Sequence, residues 1–213
     1  MSELSDESGA ARVGRIEPGG RRDVGTLVWA FSHAAGLRAR TGPPRIFLVL
    51  GRHRRLFAGW LHFAGRLMPG GLLPRRESEL VILRVAHLSD SAYERRHHTR
   101  LGRAAGLSPA DLQRLPEGPE AEGWTPRERV LLRTTDALHA ERDLDDATWA
   151  ELSEHLDERE RIELCMLIGH YTMLATVIRA LRIEPDPPRR RRRATAAGPS
   201  PDPAARSTRR SSR

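Results

Sequence analysis

Cysteine is nearly absent from this sequence: Cys165 is the single one among 213 residues. One thiol excludes an intramolecular disulfide, a CxxC redox pair and a cysteine-rich zinc site. Cys165 lies within an apolar stretch, so we predict an inert, buried thiol. Lysine is missing altogether and the 36 basic residues are all arginine, which we interpret as a coding bias rather than as chemistry.

Membrane and export signals are also lacking. The segment from Met1 to Arg15 is polar and mixed in charge, without the apolar region of a signal peptide. The longest apolar stretch, Leu164–Ile178, is short and contains His170, which makes it a poor membrane span. We therefore predict a cytoplasmic protein that does not contact a membrane.

The net charge of +8 is concentrated near the end of the chain. From Asp186 onward, nine arginines against two aspartates give +7, so the rest of the chain is close to neutral. The run Arg189–Arg193 could hold nucleic acid or acidic lipid by charge alone, but a solvated tail is the more common form of such a run. Nucleic-acid binding by the body of the protein is not predicted.

The hydrophobic pattern is helical wherever it is strong, and no segment shows convincing strand alternation. Prolines or capping residues precede apolar runs at Pro74, Ser108, Thr125 and Asp157, and each marks a helix start. These signals predict an all-α fold with seven to nine helices.

Composition divides the chain into three parts. We predict a mobile leader at residues 1–22, a helical domain at 23–184 and a disordered tail rich in arginine and proline at 185–213. Two predicted helices, one after Arg75 and one from Ile162 to Leu181, are apolar around most of their circumference. One small domain has limited interior for two such helices, so we expect a homo-oligomer.

Several short fragments within residues 40–183 are informative by their order and spacing: Arg52–Phe57, Arg76–Ala86, Tyr93-Glu94, Ala104–Ser108, Arg129–His139 and Gly169–Ala175. Taken together, they resemble the carboxymuconolactone decarboxylase family. The resemblance implies a multi-helical, alkylhydroperoxidase D-like bundle that forms oligomers.

The redox-active relatives of that family carry a glutamate, then Cys-x-x-Cys, then a histidine four residues later. The matching positions here are Glu79, Ser91, Glu94 and His98, so the acid and the imidazole are kept and both thiols are replaced. Peroxide reduction needs a thiolate and a resolving thiol. The peroxidase activity implied by the family name is therefore not predicted for this chain.

The candidate catalytic residues are Glu79, Glu94 and His98. On one helix Glu94 and His98 share a face, and we expect Glu94 to hydrogen-bond His98 and to orient its ring. Glu79 would carry the proton together with His98. An ion pair between Glu79 and an arginine such as Arg84 is the structural alternative.

Four further residues are candidates for the pocket or for orienting the catalytic groups: Ser91, Tyr93, His170 and Tyr171. Ser91 and Glu94 also fit a capping box that only starts a helix. His170 could instead hydrogen-bond at a subunit contact.

These residues favour a cofactor-free acid/base enzyme of the decarboxylase or isomerase type. Its substrate would be a small carboxylated or lactone-like metabolite, as the family resemblance implies. The alternative is a non-catalytic helical oligomer that binds a ligand or a partner. No metal is predicted, because Glu94 and His98 alone are too few ligands.

Overall fold

The computed structural model describes residues 14–39 and 41–186, and these contain ten α-helices, one 3₁₀ turn and no strand. The helices are α1 (Arg21–Val24), α2 (Thr26–Arg38), α3 (Arg45–Leu50), α4 (Arg54–Leu67), α5 (Arg75–Leu88), α6 (Ala92–Ala104), α7 (Pro109–Arg114), α8 (Pro126–Ala140), α9 (Asp146–His155) and α10 (Glu158–Leu181). The all-α prediction is confirmed. The count exceeds seven to nine by one, and α1, a helix of four residues that begins inside the segment predicted as a leader, is too short to give a periodic signal.

Helix starts follow the predicted signals. Ser108, Thr125 and Asp157 each accept a hydrogen bond from the backbone of the third helical residue. In each case the acidic side chain at that third position accepts a hydrogen bond from the backbone N–H of the capping residue, which completes a capping box. α5 begins after Pro74, as expected. These residues fix the points at which α5, α7, α8 and α10 begin.

Helix α5 is the centre of the molecule. It packs against α6, α8 and α10, and every residue from Ser78 to Ala86 is buried. This packing brings α5, α6 and α10 side by side. The burial predicted for α5 is thus achieved inside one chain.

An ion pair between the buried Arg84 and the half-buried Asp136 joins α5 to α8. The guanidinium of Arg84 donates to both carboxylate oxygens of Asp136 at 2.7 Å, and to the carbonyl oxygens of Leu115 and Pro116. Burying such a group is favourable only when its donors are satisfied. Arg84 therefore locks two helices and the 3₁₀ turn together, and it is not the partner of Glu79.

The first and last described residues both contact the helical body. The backbone N–H of Arg15 donates to the carbonyl of Leu181 at 3.0 Å, and that of Gly19 to Leu48. These residues belong to the segment predicted as a leader. Asp186, assigned to the tail, accepts from the backbone N–H of Arg45 at 2.7 Å. Residues 1–13 and the arginine run at 189–193 lie outside the described residues.

Helix α10 has a mixed character. By length and composition alone it could cross a membrane, with a mean hydropathy of 1.5 over its most apolar window. In this fold its buried face packs on α4, α5, α8 and α9, as a core helix does. Three apolar side chains, Ile162, Met166 and Met173, stay exposed on its outer face. The apolar stretch identified in the sequence, Leu164–Ile178, was predicted to be too short to span a membrane, whereas the full helix is long and apolar enough to do so. In this fold it packs as a core helix.

Candidate active site

A cavity of about 610 Å³ lies between α3, α4, α6 and α10. Its wall is mainly apolar and aromatic, and includes Phe31, Phe47 and Trp60. Eight of its lining residues have ionisable side chains: Arg38, Arg75, Tyr93, Glu94, His97, His98, His170 and Tyr171. An apolar chamber with a few convergent polar groups is the usual form of a small-molecule site.

Glu79 and His98 form the polar centre of the site. Nδ1 of His98 lies 2.7 Å from Oε2 of Glu79, and both side chains are buried. The other oxygen of Glu79 lies 2.6 Å from the guanidinium of Arg75, one turn earlier on α5. In the neutral ring, the hydrogen bond to the carboxylate places the proton on Nδ1 and leaves Nε2 with its lone pair. Arg75 and the His98 ring reach the cavity, whereas Glu79 lies behind them.

Glu94 also lines the cavity, but its carboxylate makes no hydrogen bond to the described residues. The residue is 2% exposed, and neither carboxylate oxygen has a hydrogen-bond partner among the described residues. Burial raises the pKa of Glu94 to about 7, an increase that the nearby Ser91 hydroxyl partly offsets. The hydrogen bond predicted between Glu94 and His98 does not occur among the described residues. The His98 ring is instead hydrogen-bonded through Nδ1 to Glu79. Glu79, not Glu94, orients the histidine.

The capping box predicted for Ser91 and Glu94 is wrong. Ser91 is the N-cap of α6, but its side chain makes no capping hydrogen bond. Its hydroxyl is buried without a partner among the described residues. Ser91 is not among the cavity-lining residues, so the structure gives it no contact with a ligand. The local motif fails because Glu94 turns toward the cavity instead of back toward the N-cap.

Tyr93 and His97 do not form the pair that their spacing allows. The Tyr93 hydroxyl donates instead to the carboxylate of Asp186, at 3.2 Å from each oxygen. Burial, with the Asp186 charge adding to it, raises the pKa of Tyr93 well above its ordinary value. Burial lowers the pKa of His97 to about 3, so this ring is neutral at pH 7. Tyr93 thus holds the cavity wall in place.

His170 and Tyr171 line the cavity from α10. Burial lowers the pKa of His170 to about 4, and its Nδ1 has no partner within the described part of the chain. The His170 ring lies nearly parallel to Trp60, with the centroids 6.2 Å apart. Burial, together with the charges of Glu79 and Glu94, raises the pKa of Tyr171, which stays a hydroxyl donor. Its ring meets the His98 ring edge-on at 5.1 Å.

Sequence reasoning missed two polar residues of the cavity, Arg75 and Trp60. Nη1 of Arg75 and Nε1 of Trp60 are buried without hydrogen-bond partners in the described chain. The spacing of Arg75 and Glu79, four residues apart on one helix, was an available signal for their ion pair. The aromatic wall had no comparable signal, because Phe31 comes from α2 and Phe47 from α3.

Cys165 lies away from this cavity, on the outer side of α10. It is half-buried rather than buried as predicted, and burial raises its pKa, which disfavours the reactive thiolate. No group of three or more His, Cys, Asp or Glu side chains suited to a metal ion occurs within residues 14–39 and 41–186.

The fold defines the class of this protein. Solved structures that resemble it include an alkylhydroperoxidase AhpD core protein from Ralstonia eutropha, with a TM-score of 0.73 and 16% identity over 83% of this chain and 94% of that one. A peroxidase-related protein from Silicibacter sp. gives a TM-score of 0.69 and 16% identity over 86% and 94%. The debrominase Bmp8 gives 0.69 and 15% over 80% and 91%. The chain has an alkylhydroperoxidase D-like fold.

A family model matches one segment of the sequence. Residues 54–137, which include α5 and α6, match the model of the carboxymuconolactone decarboxylase family. No curated protein matches the sequence. Over this segment the chain is similar to the carboxymuconolactone decarboxylase family, and with one cysteine it lacks a CxxC pair.

Proposed function

We propose that this protein is a cofactor-free acid/base enzyme that acts on a small cyclic or carboxylated metabolite in the cavity beside His98. The observation that carries the proposal is Glu94. A buried carboxyl group whose pKa is about 7, with no partner among the described residues, costs stability and is poised for proton transfer. Such an arrangement is typical of functional sites.

In an isomerisation, His98 acts as the general base and Glu94 as the general acid. Nε2 of His98, whose ring is oriented by Glu79, takes a proton from the carbon next to a substrate carbonyl. The electrons of the C–H bond move to the carbonyl oxygen, where the Tyr171 hydroxyl donates a hydrogen bond. Neutral Glu94 returns a proton to another carbon of the conjugated system, which completes an isomerisation. The protonated His98 then releases its proton to water and the Glu94 carboxylate takes one up from water, so both groups return to their starting states.

Decarboxylation uses the same residues in a shorter sequence. The carbon–carbon bond to a substrate carboxylate breaks, its electrons enter the conjugated carbonyl, and carbon dioxide leaves. Glu94 then protonates the carbon. Nη1 of Arg75, buried and without a hydrogen bond in the described chain, would hold a substrate carboxylate or carbonyl oxygen.

The substrate class is supported by the shape of the wall. Phe47 and Trp60 meet edge-on at 5.9 Å and, with Phe31, offer flat apolar surfaces to a planar ring. Among the similar structures is a cysteine-to-alanine variant of the debrominase Bmp8 in complex with 2,3,4-tribromopyrrole, at a TM-score of 0.68 and 15% identity. A small ring in this cavity is consistent with that complex. Thiol peroxidase activity is not proposed, because no cysteine lines the cavity.

The test is a panel of lactones, oxo-acids and cyclic enol acids, measured for binding and turnover with the wild type, His98→Gln and the exposed control His62→Gln. We expect turnover of at least one ring compound that falls about 100-fold or more in His98→Gln and is unchanged in the control. Binding without turnover in all proteins would support the non-catalytic alternative. A cytoplasmic location and homo-oligomeric assembly are further parts of this proposal.

A further inference from the structure

A second cavity, of about 640 Å³, lies where the carboxyl ends of α5, α8 and α10 meet. It touches a different face of α10 from the catalytic cavity, through Thr172, Thr176 and Arg179. Four arginines line it: Arg15, Arg142, Arg179 and Arg182. We call this site the arginine cleft.

The positive charge of the arginine cleft is not balanced by neighbouring acids. Its lining contains one acidic residue, Asp90, which is ion-paired with Arg95 at 3.1 Å. No ion pair within the described residues involves any of the four cleft arginines. The charges therefore attract an anion.

Helix capping explains only half of these arginines. Nη1 of Arg15 donates to the Ala180 carbonyl at 2.9 Å, and Nη1 of Arg142 donates to the His139 carbonyl. Both bonds satisfy carbonyls at helix ends, where cations are favoured. Arg179 and Arg182 make no side-chain hydrogen bond in the described part of the chain, so their guanidiniums remain available.

Two buried polar groups add to the cleft. The Ser89 hydroxyl and Nδ1 of His139 line it and have no hydrogen-bond partner among the residues described. Burial and the adjacent Arg142 lower the pKa of His139, so its ring is neutral at pH 7 and can still form one hydrogen bond at Nδ1. A ligand with several acceptor oxygens would satisfy the hydroxyl and the guanidiniums together.

Unusual backbone conformations also occur at the arginine cleft. Three non-glycine residues of the described chain have positive φ, namely Asp90 at 49°, Arg142 at 65° and Arg182 at 53°, and all three line the cleft. The left-handed conformation after a helix is easiest for glycine. Charged side chains occupy these helix ends at a conformational cost, which fits a requirement for the side chains themselves.

An apolar groove of about 390 Å³ continues from the cleft. It shares Arg142, Thr172 and Thr176 with the cleft and is lined further along by Leu138, Ile168 and Met173. Cys165 also lies in its wall. A cationic chamber thus passes into an apolar one within a single connected depression.

We propose that this depression binds a small amphiphilic phosphate monoester, with the phosphate in the arginine cleft and the apolar chain in the groove. Guanidinium groups pair with phosphate oxygens through charge-assisted hydrogen bonds. Neither chamber is lined by Phe, Trp or Tyr on which a nucleotide base could stack. The site is separate from the acid/base cavity and does not depend on the reaction proposed there.

The first test measures binding of hexyl phosphate and of inorganic phosphate by calorimetry at constant ionic strength. The variants are Arg179→Gln/Arg182→Gln and the control Arg55→Gln/Arg96→Gln, which removes two exposed arginines outside the cleft. We expect hexyl phosphate to bind more tightly than inorganic phosphate, and the cleft variant to weaken both by about 10-fold or more. The control should bind like the wild type.

The second test uses Cys165 as a reporter, since it is the only thiol in the chain. Hexyl phosphate should slow its reaction with a disulfide reagent at alkaline pH, whereas inorganic phosphate, which does not reach the groove, should leave the rate unchanged. Absence of saturable binding, or equal binding by the cleft variant, would overturn the proposal. Binding to phosphatidic acid vesicles without binding of hexyl phosphate would also overturn it, in favour of a membrane surface.

Discussion

Ser91 and Glu94 lie three residues apart at the start of α6, yet neither side chain caps the helix, and neither has a hydrogen-bond partner among the described residues. In redox relatives these positions carry the two cysteines. A serine and a glutamate there would be expected to close a capping box. Instead, Glu94 lines the cavity, so this residue contributes to the cavity wall and not to the helix cap.

Substitution of Glu94 should change how stability depends on pH. The folded-state pKa of Glu94 is raised from 4.5 to about 7, so only the unfolded chain ionises as the pH rises from 4.5. The wild type therefore loses stability between about pH 4.5 and 7, by up to about 3 kcal/mol. We expect Glu94→Gln to lack this loss and to be more stable than the wild type at pH 8. Denaturant unfolding at pH 4.5 and 8, with exposed Glu154→Gln as control, measures it; parallel curves would contradict the assignment.

His98 and Glu79 should act as a unit. Glu79→Gln keeps the shape of the side chain but removes the charge that fixes the His98 tautomer. Turnover should fall about 100-fold or more in Glu79→Gln and in His98→Gln, and the double variant should be little worse than either single one. Additive losses would show that the two residues contribute separately.

Arg84 should be a major stability determinant without a role in the cavity. Arg84→Met leaves Asp136 without its bidentate partner and frees the carbonyls of Leu115 and Pro116. We expect a loss of about 2–3 kcal/mol in the free energy of unfolding, because the half-buried Asp136 and the two carbonyl oxygens lose charge-assisted hydrogen bonds. The exposed control Arg96→Met should change stability by less than about 0.5 kcal/mol. A loss below about 1 kcal/mol in Arg84→Met would contradict this role.

Asp186 should stabilise the wall of the active-site cavity. Its carboxylate accepts hydrogen bonds from the Arg45 backbone and from Tyr93, which joins α3 to α6 across the end of the described chain. Asp186→Ala should cost about 1–3 kcal/mol, and Tyr93→Phe less, with coupling between the two. Chemical denaturation of the four proteins of this cycle is the measurement; zero coupling would contradict the contact.

Assembly should depend on the exposed side of α10. Ile162 is 66% exposed and adjoins Met166 and Leu72, so the three form an apolar patch on the surface of one chain. We expect light scattering to show a homo-oligomer that Ile162→Arg dissociates and exposed Arg159→Gln does not. A wild-type monomer would contradict the predicted assembly.

The sequence predicted those features that depend on local signals. The caps at Ser108, Thr125 and Asp157 were readable because each motif lies within four residues and satisfies the backbone of its own helix. The burial of α5 followed from its continuous apolar pattern. Family resemblance supplied the pairing of Glu79 with His98, which are 19 residues apart.

The remaining features depend on tertiary packing. Glu94 was misassigned to His98 because helical spacing shows which side chains can meet, but not which competing partner lies closer. The aromatic wall and the arginine cleft combine residues from separate helices, such as Phe31 with Phe47 and Arg15 with Arg182. No local pattern links such residues.

The backbone contact between Arg15 and Leu181 has a consequence for protein engineering. Because these residues are hydrogen-bonded at 3.0 Å, the two ends of the helical body are neighbours. A circular permutant could join them through a short flexible linker and open new ends at Glu122-Gly123, an exposed loop before α8. Such a rearranged chain would present the same cavity beside His98 without residues 1–13 and 187–213, and its folding would separate the contribution of the helical body from that of its extensions.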